Sequence, residues 1–288
     1  MRFKLGAVEF SGEGDATGPL VVREFEPGGA DVRDQDAERA QQDGLIVGRD
    51  LLGGRLWSWA ISARGNDLSD VLAANALLEG AWRDPARLKP GVTTPLSYLT
   101  DGRWRRVYGR PGRFTGITPD YLAMSGLGRI VCDFRVTDPR YYDDDDTSVV
   151  LTIVPATTGG LMTPLAAPLS TVQSSAPRAG IVNNLGDADT PLKVKFQGPV
   201  SNPWVRSTDG MEIGLNTTLA SDESITVDPL AGTVTRNGGA SAAGLLTRKT
   251  RMSATLLTPG TTELTFGGTD PTGTAKATLY WRNAYNSI

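Results

Sequence analysis

A strand that puts two tryptophans on one face constrains this chain more than any other stretch of it. In Arg55-Leu-Trp-Ser-Trp-Ala-Ile-Ser-Ala63, alternation places Trp57, Trp59, Ile61 and Ala63 on one side and Leu56, Ser58, Ala60 and Ser62 on the other. Two indoles on one face need a large apolar partner. The nearest one in the chain is a helix expected over Asn66 to Trp82, where Leu68, Val71, Leu72, Ala74, Leu78 and Ala81 recur at steps of three and four. Asn66 or Asp67 can cap its first turn, and Asp70 stands where a capping carboxylate reaches back. No other segment has a convincing helical period, so the chain is expected to be mainly β with a single helix packed on the tryptophan sheet.

At 288 residues the chain exceeds one ordinary core, which predicts two domains. The first spans residues 1–146. Arg2 to Phe10 and Pro19 to Phe25 read as its opening strands. Pro95 to Leu99 and Arg103 to Tyr108 read as a hairpin turned by Asp101-Gly102, and Tyr121 to Thr137 as a long strand or bent pair with Ile130, Cys132, Phe134 and Val136 inward. Residues 147–177, rich in Thr, Ser, Gly and Pro, read as a first strand followed by an extended connector. From 178 to 288, short alternating runs with turn signals between them describe a jelly-roll β-sandwich. They include Leu192, Val194 and Phe196; Met211, Ile213 and Leu215; Ile225 and Val227; and Val234 before Asn237-Gly238.

Composition removes much of chemistry. The chain has no histidine, hence no ordinary catalytic triad and none of the usual zinc ligands. Its one cysteine, Cys132, lies in an alternating run and reads as a small buried hydrophobe. The run Asp143 to Asp146 lacks the glycine turn and ligand spacing of a calcium loop and reads as solvated charge that ends a domain. A glycoside hydrolase could work with two carboxylates alone, but Asp187, Asp189, Asp209, Glu212, Asp222, Glu223, Asp228, Glu263 and Asp270 read as turn or edge residues. We expect no catalytic residues, no cofactor and no metal. A net charge of −3 gives no general attraction to nucleic acid or acidic lipid. The N-terminus lacks the apolar run of a secretory signal, so assembly is expected in a cytoplasm. The uncharged stretch Thr147 to Pro177 carries four prolines and is not expected to insert into a membrane.

Two charged stretches invite a role. Arg103, Arg105, Arg106, Arg110 and Arg113 are interleaved with Trp104 and Tyr108. That mixture suits nucleic acid, but the acidic chain and the lack of a nucleic-acid motif favour an exposed sheet face that pairs with carboxylates of a neighbouring subunit. Reversing Arg105 and Arg106 to Glu is therefore expected to leave the monomer folded and change its mass in solution. The polar segment Glu26 to Asp43 reads as a solvated loop rather than a piece that orders on a partner.

Several local motifs occur together in an order that resembles the distal tail proteins of long-tailed bacteriophages, particularly the minor tail proteins of phages infecting actinobacteria. They are Gly48-Arg-Asp-Leu-Leu-Gly-Gly54 before the tryptophan strand, Ala81-Trp-Arg83 closing the helix, Arg106-Val-Tyr-Gly-Arg-Pro111, Asp133-Phe-Arg-Val-Thr-Asp-Pro139 with Tyr141-Tyr142-Asp143, and Tyr280-Trp-Arg-Asn-Ala-Tyr-Asn-Ser-Ile288. The resemblance implies a non-enzymatic virion component. Its N-terminal β domain would form a homohexameric ring continuing the tail tube, and a galectin-like sandwich would lie outside. Implied partners are further copies of the chain, the tail tube protein and the tail-tip or hub proteins, with DNA passing through the lumen without specific binding. Ring closure requires heterologous contacts, for which the arginine-rich hairpin and the acidic segments are the candidates.

The alternative reading is carbohydrate binding by the C-terminal sandwich. Among the available side chains, Trp204, Tyr285 and Asn286 are the candidate glycan contacts, with Asn283 nearby in sequence, whereas Trp281 is in phase with Ala275, Ala277 and Leu279 and reads as core.

Overall fold

In the computed structural model, which describes residues 1–15, 18–85, 89, 91–118, 128–156, 174–176, 178–270 and 272–287, the tryptophan strand runs from Arg55 to Ala63. Its neighbours continue in both directions until the sheet closes on itself. The order is Arg129–Val136, Arg55–Ala63, Leu20–Glu26, Val8–Gly12, Arg2–Leu5, Thr94–Thr100 and Arg103–Thr115, which pairs back with Arg129–Val136. The Val8–Gly12 and Leu20–Glu26 pair is parallel, and the other pairs are antiparallel. Side chains fill the interior. Phe3, Phe10, Trp57, Trp59 and Tyr98 are all buried to 1% exposure or less, and their rings meet largely edge to face, as Phe3 does with Trp59 (5.5 Å, 82°) and Trp57 with Tyr98 (5.4 Å, 78°).

The helix spans Leu68–Trp82. Asp67 is its cap, accepting from Asp70 N–H at 2.9 Å, and the Asp70 carboxylate accepts in return from Asn66 N–H at 2.9 Å, a reciprocal arrangement that satisfies two backbone donors. Trp82, in the last turn, lies 5.9 Å from Trp59 at 84° and donates its indole N–H to the Asp133 carbonyl at 2.9 Å. The helix thus covers Trp59, while Trp57 packs against Phe25, Tyr98 and Tyr141. Its buried stripe differs from the expected one: Leu68 is exposed, while Asn75 is buried and accepts from Ile117 N–H at 3.0 Å.

One further expectation changes. Arg2 to Phe10 is a hairpin, Arg2–Leu5 with Val8–Gly12, and not one strand. Phe3 and Leu5 face the core before the turn and Val8 and Phe10 after it, a change of phase visible in the sequence. In the later strand, Ile130, Cys132, Phe134 and Val136 are all fully buried, and burial raises the Cys132 thiol above its ordinary pKa. The expected strand start near Tyr121 lies outside the described residues.

By contacts the chain divides into two units, Met1–Asp144 with Asn286–Ile288, and Asp145–Tyr285. The second unit is a sandwich. One sheet runs Thr147–Thr152, Lys276–Trp281, Lys193–Gln197, Ser224–Asp228, Thr233–Arg236 and Ala240–Ser241. The other runs Arg178–Asn184, Gly260–Thr269, Val200–Ser207 and Glu212–Gly214, with Thr218–Leu219 also on Val200–Ser207. Val194, Phe196, Ile225 and Leu279 of the first sheet share one core with Val182, Val205, Leu264 and Phe266 of the second. Trp281 is buried and donates to the Asn183 carbonyl at 3.0 Å. Both predicted hairpin turns have positive φ at each central residue, Asp101 and Gly102 in the first unit (48° and 73°), Asn237 and Gly238 in the second (48° and 75°).

One carboxylate of the sandwich has a structural task. Asp270 is fully buried and accepts from Thr272 N–H (2.8 Å), the Thr272 hydroxyl (2.6 Å) and Ala275 N–H (2.8 Å). Burial pushes its pKa up, but these hydrogen bonds outweigh it and hold the carboxyl below the ordinary aspartate value. A folded-state pKa below the unfolded one means that the stabilisation is complete above the unfolded value and is lost as pH falls through the folded one. Asp270→Ala is expected to destabilise the sandwich by about 3 kcal/mol at neutral pH, measured by urea unfolding, with the gap narrowing in acid. A gap independent of pH would mean that the charge has no part in it.

Candidate functional site

The five arginines singled out in the sequence do not form one surface. Along Arg103–Thr115, Arg105 shares a side with buried Val107, whereas Arg106 and Arg110 take the other with Trp104 and Tyr108, and the bulge between Pro111 and Phe114 turns Arg113 to that outer side as well. Most of them are engaged within the unit. Arg106 Nε donates to Asp144 Oδ1 at 2.7 Å, and the Ser97 hydroxyl donates to the same oxygen at 2.7 Å. Arg110 donates to the Val92 carbonyl at 3.2 Å, Arg113 pairs with Asp133 at 3.5 Å, and Arg105 donates to the Ser287 carbonyl at 3.1 Å. Arg103 is exposed beside the turn. Reversing Arg105 and Arg106 would therefore disturb the fold of the monomer as well as any interface. Of the neighbouring aspartates, Asp144 is held by Arg106 and Asp146 by Arg282 at 2.7 Å. Among the described residues, no three or more acidic or thiol side chains converge on a point that could hold a metal ion, and no helix is long and apolar enough to cross a membrane.

The segment expected as a solvated loop is a projecting arm. Between Glu26 and Arg55, Val32–Arg33 pairs with Leu51–Leu52, and further out Ala37–Glu38 pairs with Leu45–Ile46. Gly53 N–H closes the base on the Asp31 carbonyl at 2.6 Å, and Gly48 N–H donates to Asp36 Oδ1 at 2.8 Å. Glycine is needed at the root: with φ +52° at Gly28, a Cβ there would also run into the Leu56 carbonyl. Every residue from Asp31 to Val47 is exposed, including Val32 (60%), Ile46 (58%) and Val47 (82%), with Leu45 and Leu52 also uncovered. Residues 31–50 carry six acids against three arginines. The pairing was illegible because strands of two residues show no period. The signal that could have found it is the uncovered run Leu45-Ile-Val47 between two glycines. Beside the root is a cleft of about 510 Å³ lined by Asp31, Arg55, Leu56 and Arg135.

In the sandwich, Trp204 lines a second cleft, of about 470 Å³, together with Asn202, Glu212, Asn216, Thr247 and Arg248. Tyr285 and Asn286, the other two glycan candidates, do not line it. Asn283 is buried and accepts from Leu185 N–H at 2.9 Å, a structural role.

The strands that build this second cleft fall inside a segment with a known relative. Residues 185–285 match the family model of the siphovirus-type tail component, C-terminal domain. No curated protein matches the chain at a significant level. Solved structures extend the likeness beyond the tail-component segment. The crystal structure of the Dit protein (gp 19.1) of phage SPP1, described as a paradigm of the hub adsorption apparatus in phages that infect Gram-positive bacteria, is 14% identical. It superposes with a TM-score of 0.53 over 91% of this chain and 92% of that one. A chain of the phage P2 baseplate in its activated conformation with Ca is 11% identical, with a TM-score of 0.55 over 94% and 93%. The same baseplate with Sr gives the same values. At these identities the correspondence is one of fold, and it includes both the barrel and the sandwich.

Proposed function

We propose that this chain is a structural protein of a bacteriophage tail. Six copies would form a distal ring that continues the tail tube, adapts it to the tip or hub proteins and leaves a channel for DNA. The match of residues 185–285 to a tail-component domain carries this reading, and the likeness of fold to Dit and baseplate chains over more than nine-tenths of the length supports it. On the resemblance described above, the phage infects actinobacteria, the protein is assembled in the host cytoplasm, and it ends in the virion tail. Its role is one of shape and contact, without catalysis.

Two features of the first unit fit a ring. The barrel is filled with aromatic side chains, so a channel wide enough for DNA has to lie between copies and not through one of them. The arm presents five uncovered aliphatics on a scaffold with no core of its own. An isolated two-stranded ribbon is marginal in water, and a patch of this kind marks a contact surface. Each aliphatic taken from exposure to full burial is worth roughly 1.5–3 kcal/mol, ample to hold neighbours together. A lumen that passes DNA without retaining it should be neutral or acidic, because each phosphate contact adds affinity.

The test is the native mass of the full chain by light scattering, followed by negative-stain imaging. A mass six times that of the chain, with a central pore, is the expected result. A chain that stays single at its highest soluble concentration, both alone and with its tube and tip partners, would overturn the ring.

A further inference from the structure

The surroundings of Trp204 are built to present an indole beside polar groups. In the strand Val200–Ser207, Trp204 alternates with core residue Val205 and so points to the outer face of its sheet. Its cross-strand partners on both sides are glycines, Gly214 and Gly267. A Cβ at Gly267 would collide with the indole, so the ring rests on bare backbone where any other residue would displace it. The Arg206 guanidinium packs 4.7 Å from the ring centre and donates to Glu212 at 2.8 and 3.0 Å. The Glu212 side chain, 14% exposed, is fixed by that pair.

A second, independent feature aims the site. The pairing of Val200–Ser207 with Gly260–Thr269 slips between Ser201 and Trp204, and Asn202 within the slip has φ +49°, with its N–H donating to the Thr217 carbonyl at 2.8 Å. A bulge with a non-glycine residue in the left-handed region is the kind of local strain that accumulates at binding sites, where it redirects side chains. Asn202 lines the Trp204 cleft together with Asn216 and Arg248.

We propose that this cleft is a saccharide-binding site for one or two pyranose units. A pyranose offers an apolar face of C–H bonds and a rim of hydroxyls, each both donor and acceptor. The cleft supplies the matching set: an indole surface, two amides that donate and accept, an oriented carboxylate and an exposed guanidinium. Its volume falls within the usual range for small-ligand sites, roughly 300–1,000 Å³. A purely apolar ligand would leave the amides unused, and a compact anion would meet Glu212. The inference does not depend on ring formation, since every contributing residue belongs to Asp145–Tyr285.

Saturation-transfer NMR on the full chain tests it, using glucose, galactose, mannose, rhamnose, N-acetylglucosamine and their disaccharides at millimolar concentration. At least one sugar should receive saturation through its C–H protons. Asn202→Gly keeps the left-handed backbone and removes only the amide; it should weaken that sugar at least tenfold, and Trp204→Ala should abolish the transfer. If Trp204→Ala fails to fold, as judged by circular dichroism, Asn202→Gly decides alone. No transfer to any of these sugars, or transfer undiminished in the folded variants, would overturn the site. Native mass is read separately, so failure here leaves the ring standing.

Discussion

Replacing residues 31–52 with a Gly-Ser pair is expected to leave the barrel folded and to abolish ring formation. No side chain from Asp31 to Val47 contributes to the core, and the strands on either side of the arm, Leu20–Glu26 and Arg55–Ala63, are direct antiparallel partners with Glu26 opposite Ser58. The excision therefore turns a long excursion into an ordinary hairpin connection. Shortening a loop reduces the entropy of closing it, so the monomer should be as stable as the parent or slightly more so. Assembly is different. If the uncovered aliphatics are buried between copies, losing them removes at least about 5 kcal/mol per contact, more than a thousandfold in affinity. Light scattering should then report a single chain where the parent reports six. A variant that still forms the ring would show that copies meet through the barrel wall and that the arm serves another partner.

The second large effect is expected at Trp82. Truncating this fully buried indole to alanine leaves a cavity beside Trp59, Phe10 and Phe114 and deprives the Asp133 carbonyl of its donor. Large aromatic-to-alanine changes in a core cost roughly 3–5 kcal/mol, a large part of the total stability of an ordinary domain, about 5–15 kcal/mol. In urea the first unit of Trp82→Ala should unfold well before that of the parent. Trp82→Phe, which keeps part of the ring packing but not the N–H, should fall between them. A loss below about 1 kcal/mol for the alanine variant would mean that the helix is an accessory to the barrel and not part of its core.

The contrast between these two sites shows what could be read from the residues. Trp57 and Trp59, the run Ile130 to Val136, and the alternating Leu192, Val194 and Phe196 were legible because one face of each strand meets a packed interior, and burial imposes a period of two. The Asp67 and Asp70 caps and the Asp101-Gly102 turn were legible because each satisfies a local backbone requirement. Asn75 was not. A polar side chain in an apolar stripe is explained only by the Ile117 N–H that comes to it from elsewhere in the chain. The arginines misled for a related reason, since their partners Asp144, Asp133 and the Val92 carbonyl are brought near by sheet pairing and not by sequence spacing. Trp204 was picked out as a candidate, but the glycines that flank it and the strained Asn202 became visible only with the register.

Closure of the first sheet has a further consequence for how copies gather. Each of the seven strands on the closed path pairs with a neighbour on both sides along at least part of its length, so the cylinder has no edge strand onto whose whole length another molecule could zip. Backbone templating, the route by which open sheets run on into fibres, is thereby disfavoured for the closed path. Contacts made through side chains on a protruding finger are saturable, and a saturable contact permits an assembly with a fixed number of members that stops growing when the last one is in place.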